Sequence, residues 1–233
     1  MIFSKALNQP AIKLQDSRLH GIYSGAELLL VEGDCAAKAL SGLRNKQLQA
    51  VLPMQGKPMN VTKSSLAKIR ANQWFKALID AIGAGVGDDF DVQKCRYSRI
   101  ILLMDPDADG IHCSALMLLY FYRFMPLLLQ KNMIEMVRLP VGEIFNNTTK
   151  ITQYAFTDAQ FMALINTNTL VCENKGKINQ SISIHKYRGL AGINASKLQA
   201  LCINPQTRKS NLMALKDAQI ALQIFGKRYV DVK

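Results

Sequence analysis

Paired cysteines are missing from this sequence, and so is any cluster of cysteine with histidine. Its five cysteines (Cys35, Cys95, Cys113, Cys172, Cys202) and three histidines (His20, His112, His185) are scattered, with no Cys-x-x-Cys pair. They offer no zinc-site spacing. An odd cysteine count without a secretory signal points to reduced thiols of cytosolic type rather than a disulfide framework. Long apolar runs are missing too. The most apolar window, residues 115–129, is broken by Arg123 and Pro126, is too short to span a membrane, and reads as a buried helix. Gly83-Ala84-Gly85-Val86-Gly87 lacks the Lys-Ser/Thr of a P-loop and follows a helix-like segment, which leaves a helix-ending turn. Acids are scarce, 17 against 29 basic residues, for a net charge of +12. Such an excess suits a polyanionic partner, though basic composition alone also fits ribosomal or membrane-surface proteins. With 233 residues and 49% apolar composition, the chain can build one sizeable domain plus a small extension.

The few acids are concentrated, and one stretch organises the chain. Arg99-Ile100-Ile101-Leu102-Leu103-Met104 runs into Asp105-Pro106-Asp107-Ala108-Asp109-Gly110. A short continuous apolar run bounded by turn residues predicts a central parallel strand. Asp105 then sits at its carboxyl end, held extended by Pro106. The apolar segment 111–129 predicts a helix just behind Gly110. Carboxylates in that place lie where open α/β sheets bind ligands. Clustered carboxylates repel, so a hard divalent cation, Mg²⁺ above all, is the natural companion. An EF-hand loop would need Glu six residues after the glycine, where this chain has Leu116. A strand-end aspartyl nucleophile of phosphatase type and a plain polar turn both stay open on this window alone.

A second carboxylate has the same setting. Glu27-Leu28-Leu29-Leu30-Val31-Glu32-Gly33-Asp34 is another apolar run ending in an acid, followed by a helix-competent segment, Cys35-Ala36-Ala37-Lys38-Ala39-Leu40. Asp34 is expected to cap that helix. Two strands ending in Glu-Gly-Asp and Asp-x-Asp, about seventy residues apart, resemble the Toprim domain of topoisomerases, some primases and some nucleases. Further segments narrow the resemblance to the B subunits of bacterial DNA gyrase and topoisomerase IV. They are Gln49-Ala50-Val51-Leu52-Pro53-Met54-Gln55-Gly56-Lys57-Pro58-Met59-Asn60-Val61, the run from Ala77 to Gly87, Arg96-Tyr97, and Phe121-Tyr122-Arg123. Tyr187-Arg188-Gly189-Leu190 and Asn204-Pro205-Gln206-Thr207-Arg208 complete the set. They follow in the family's order over roughly residues 10–215.

The resemblance implies an α/β fold of Toprim type, a Rossmann-like parallel sheet flanked by helices, with a mostly helical C-terminal tail. It implies DNA strand breakage and rejoining, in which a tyrosine of a separate A subunit attacks double-stranded DNA. Mg²⁺, with Mn²⁺ or Ca²⁺ able to substitute, would be held by Glu32, Asp105 and Asp107. Glu32 would also act as general acid/base. Asp109 is a second-metal ligand or a cap for the next helix, and His112 braces the loop. Such a protein works in the cytoplasm, at the nucleoid, and away from membranes. In the family an ATPase module of the B subunit precedes this region. No stretch here has its length, so this chain alone is not expected to couple ATP hydrolysis to strand passage.

The expected organisation is a lead-in over residues 1–25, the Toprim domain over 26–141, a polar excursion over 142–182 with a short helix near 158–165, and a basic tail over 183–233. Gly56 allows close backbone approach to a phosphate and Lys57 supplies charge, so they form either a DNA contact or a surface turn. Lys186 and Arg188 offer charge in the tail, and Tyr187 is expected to pack rather than to act as a nucleophile. The chain departs from the family pattern at Gln55, at Cys35-Ala36-Ala37 and at Cys113-Ser114. A stand-alone Toprim nuclease or primase-like enzyme and a non-catalytic DNA-binding or assembly module are the alternatives.

Overall fold

The computed structural model describes residues 13–173 and 182–225. The first half of the lead-in, residues 174–181 of the excursion and residues 226–233 of the tail lie outside them. In order, the elements are β1 (Glu27–Glu32), α1 (Gly33–Ser41), β2 (Gln49–Met54), α2 (Leu66–Ala71), α3 (Gln73–Ile82) and β3 (Arg99–Leu103). Next come α4 (Ala108–Phe124), α5 (Pro126–Gln130), β4 (Ile134–Val137), β5 (Gly142–Asn146), β6 (Thr152–Ala155) and α6 (Asp158–Glu173). The last are β7 (Ile182–Lys186), α7 (Ala195–Leu198) with a π-helical turn over Gln199–Ile203, β8 (Ser210–Leu212) and α8 (Leu215–Phe225).

Five strands form the main sheet in the order β2-β1-β3-β4-β8, parallel except for β8. The central strands are buried on both faces, which is why they read as unbroken apolar runs. Alternate side chains serve two cores. Leu28, Leu30, Leu52, Ile100 and Leu102 pack with residues of α3, α4, α5 and α8. Leu29, Val31, Val51, Ile101 and Leu103 pack with α1 and with the chain around residues 190–203. Strand β2 lies on one side of β1 and β3 on the other, so the winding reverses between β1 and β3. That is the switch point where open α/β sheets leave a crevice. Register sets Val31 opposite Leu103, so the two chains leave the sheet side by side.

Residues 142–173 and 182–186 form a second, antiparallel sheet, β6-β5-β7, with α6 against it and Val141, Ile144, Ala155 and Phe161 at its centre. A polar excursion with a short helix was the expectation. The helix instead runs from Asp158 to Glu173, and the polar sequence forms strands: β5 pairs with β6 as a hairpin and with the distant β7 on its other side. The tail supplies α7 and α8, together with β7 for the small sheet and β8 for the edge of the main one. Tyr187 packs half-buried on the second core. Cys35, Cys95, Cys113 and Cys202 are free thiols, and the Cys172 side chain falls outside the described residues. No helix among the described residues is long and apolar enough to cross a membrane.

The amino ends of the strands carry a buried ionic network. Arg208 donates to both Glu27 oxygens at 2.9 and 2.6 Å and to Glu135 Oε1 at 3.0 Å. Gln49 donates to Glu27 at 2.8 Å, while Arg99 (2.8 Å) and Ser210 donate to Glu135. Burial alone would push the Glu135 carboxyl upward, but the bonds from Arg208, Ser210 and Arg99 outweigh it and hold its pKa below the ordinary value. Arg208, near the chain's end, thereby ties β1, β4 and β8 together. Arg208→Ala would leave buried Glu27 with no cationic partner and remove one of the two that Glu135 has, and it should cost about 3–5 kcal/mol in urea unfolding. A loss under about 1 kcal/mol, the range of an exposed ion pair, would contradict this role.

Candidate metal centre

Glu32 is the last residue of β1 and the first acid of the site. It occupies the extended N-cap position of α1, yet its side chain makes no capping bond. The helix therefore starts at Gly33, ahead of Asp34, and the expectation that Asp34 caps it is corrected. Asp34 lies within the first turn, where the helix dipole favours a carboxylate. It accepts bonds from Lys13 at 2.7 Å and Gln55 at 3.1 Å.

Asp105 follows β3 by two residues. Asp107 is the N-cap of α4 and accepts the Gly110 N–H at 2.8 Å, the N3 bond of a capping aspartate. Of the two roles expected for Asp109, second-metal ligand or cap of this helix, the cap falls to Asp107; Asp109 sits inside the first turn, 74% exposed, and pairs with Lys57 Nζ at 2.7 Å. The backbone packs tightly here, since a Cβ on Gly110 would lie 2.0 Å from the Asp105 carbonyl oxygen.

Glu32 and Asp105 face one cleft of about 420 Å³, lined also by Cys35, Arg188, Gly189 and Leu190. Burial raises the Glu32 pKa and the Asp105 charge raises it further; the nearby Cys113 thiol opposes the shift, while Asp107 and Asp109 add to it. Burial likewise raises the Asp105 pKa, against the Leu190 N–H that donates to its Oδ1 at 2.8 Å and in concert with Asp107. Glu32 Oε1 is buried, with no hydrogen-bond partner among the described residues. The site thus gathers negative charge, keeps one carboxylate oxygen without a donor, and offers oxygen ligands of the kind a hard divalent cation takes. The donor chemistry fits Mg²⁺, although among the described residues no three side chains are drawn together into a coordinating cluster.

The other expected residues are distributed around this cleft. Gly56 forms an open turn at φ +76°, with empty space where a Cβ would point. Lys57 beside it is engaged by Asp109 and also feels Glu32. His112 stacks on Phe225, centroids 5.1 Å apart and planes 13° from parallel, so its contact joins α4 to α8. Arg188 is exposed at the cleft wall. Sequence reasoning missed three groups: the Cys113 thiol on Glu32, and Gly189 and the Leu190 amide on Asp105. Cys113 stood out only as a departure from the family pattern. Gly189 and Leu190 belonged to a noted motif, but nothing local connects it with an aspartate 85 residues earlier.

Raised carboxyl pKa values mean that ionising the site opposes the fold. The cost is absent where both groups are protonated in folded and unfolded chains alike, and it grows as pH rises through the raised values. Glu32→Gln should therefore raise the thermal midpoint of the cation-free chain at neutral pH by a few degrees. The gain should fade below 4.5, the ordinary value for glutamate. Thermal melts across pH test this, and an unchanged or lowered midpoint at neutral pH would contradict it.

Comparison with known proteins agrees with this architecture. Residues 27–139 match the model of the Toprim domain. The DNA gyrase B subunit of Halalkalibacterium halodurans is 36% identical over 200 residues, which is 86% of this chain and 30% of that protein. The DNA gyrase B subunit of Thermotoga maritima is also 36% identical over 200 residues, 85% of this chain and 30% of that one. The DNA topoisomerase 4 B subunit of Enterococcus faecalis is 32% identical over 194 residues, 82% of this chain and 27% of its own. The chain thus spans under a third of the length of these curated relatives. With its parallel sheet and paired strand-end acids, it carries a Toprim domain and is homologous over most of its length to the B subunits of DNA gyrase and topoisomerase IV.

Proposed function

We propose that this chain is the cation-binding Toprim part of a type II topoisomerase B subunit, working on double-stranded DNA with an A subunit that carries the attacking tyrosine. The observation that carries the reading is the pairing of Glu32 with Asp105 at the switch point, within a chain 36% identical to a gyrase B subunit over 200 residues. Glu32, Asp105 and Asp107 would hold Mg²⁺. Bound there, the ion would supply Lewis-acid stabilisation of charge developing on the phosphodiester.

The chain's own residues do the rest. Glu32, whose Oε1 has no partner among the described residues, is suited to exchange a proton with the 3′-oxygen that leaves and returns. Arg188, on the cleft wall, offers charge to the phosphate. Gly56 and Lys57 approach the DNA backbone, and Lys57 exchanges Asp109 for a phosphate in doing so. That exchange is easy, because the pair is solvent-exposed and screened by salt. The surplus of +12 suits a phosphate-dominated interface. ATP-driven strand passage would require the ATPase module of the B subunit.

Mixing the purified chain with a gyrase-type A subunit, Mg²⁺ and plasmid DNA should give covalent protein–DNA adducts. Glu32→Ala should reduce them by about 10²-fold or more, the scale of a lost general acid/base. Strand breaks by the chain alone, without adducts, would overturn this reading in favour of a stand-alone Toprim nuclease.

A further inference from the structure

We propose that Arg188-Gly189-Leu190 is a strap that positions Asp105, acting through the bare Cα of Gly189 and the main-chain N–H of Leu190. The proposal rests on the cation-site reading above and adds which groups beyond the acids define the site.

Each Asp105 oxygen meets a different part of the strap. Oδ1 accepts the Leu190 N–H at 2.8 Å. Oδ2 faces Gly189 so closely that a Cβ there would lie 2.6 Å from it and 3.0 Å from the carboxyl carbon. Gly189 also holds φ +132°, a conformation that side-chain-bearing residues rarely adopt. With one oxygen tethered and the other walled in, the carboxylate is fixed in rotation. On its main-chain side Asp105 is confined by Gly110. The aspartate is thus enclosed between two glycines from distant parts of the chain.

The strap is itself held at both ends. Upstream it continues β7, and Tyr187 donates its N–H to Val141 O at 2.9 Å. Downstream, Leu190 is 1% exposed in the second core and accepts the Ile193 N–H at 3.1 Å. An ion pair from Lys197 of α7 to buried Glu143 of β5 ties the same region to the small sheet. A strap anchored this firmly can impose an orientation on a side chain instead of following it. Losing a group that orients a metal ligand in this way typically costs about 10–100-fold in metal affinity. The small sheet thereby gains a role, since it carries the strap to the cleft.

Four variants and two readouts test the strap. In urea unfolding, Gly189→Ala, Asp105→Ala and the double variant form a cycle. If the added Cβ collides with the Asp105 carboxylate, Gly189→Ala should cost less in the Asp105→Ala background. Equal losses in both backgrounds would overturn the contact. In the second arm, Leu190 is replaced by its α-hydroxy acid, which substitutes an ester oxygen for the N–H and keeps the side chain. Mn²⁺ affinity, read from the electron paramagnetic resonance of the free ion, should weaken about tenfold or more. Wild-type affinity in that variant would overturn the positioning role. If the unmodified chain takes up no Mn²⁺, the cation reading falls, and the stability cycle alone decides whether the strap holds Asp105.

Discussion

The parallel ladder between β1 and β3, with Leu30 opposite Leu102 and Val31 opposite Leu103, forces two carboxylates into one cleft. Left to themselves Glu32 and Asp105 would separate, since each raises the energy of the other's charge. They stay together because fully buried apolar side chains on both faces of two adjacent strands fix the register. A one-residue slip would turn every core side chain to the wrong face. Hydrophobic burial therefore supplies the free energy that holds the electrostatically costly site in place.

The two ends of the main sheet treat charge in opposite ways. At the amino ends, Glu27 and Glu135 are buried but completely answered by Arg208, Arg99, Gln49 and Ser210. At the carboxyl ends, among the described residues, Glu32 keeps a buried oxygen without a donor and no basic side chain is bonded to Asp105. Answered charge is what a structural ionic network requires, and unanswered charge marks a functional site. Lys57 shows the same division on the outside of the cleft. It neutralises Asp109, at the exposed edge.

How much of this was legible in the sequence follows from the range of the interactions. Strands β1 and β3 were legible because burial on both faces writes an uninterrupted apolar run, and each ends in acids next to a helix-forming segment. The helix behind Gly110 was legible for the same local reason. Asp34 was misplaced as a cap, and a cap stayed open as one of two roles for Asp109, because sequence gives acid positions within a turn but not where the first helical bond closes. Asp107 caps α4, and α1 starts with no side-chain cap at all. The small sheet was hidden by its polar composition and by pairing that joins Gly142 to Lys186. The strap on Asp105 was hidden most completely, because its working groups are a main-chain N–H and a missing Cβ, and neither has a residue signature outside the fold.

The central proposal is that Glu32, Asp105 and Asp107 would together hold one cation. Calorimetric titration of the purified chain with Mg²⁺, alongside the Asp105→Ala variant, addresses it most directly. Heat of binding that saturates for the unaltered chain and is abolished in Asp105→Ala is the result this account requires. Equal binding by the two chains would place the cation elsewhere and contradict it.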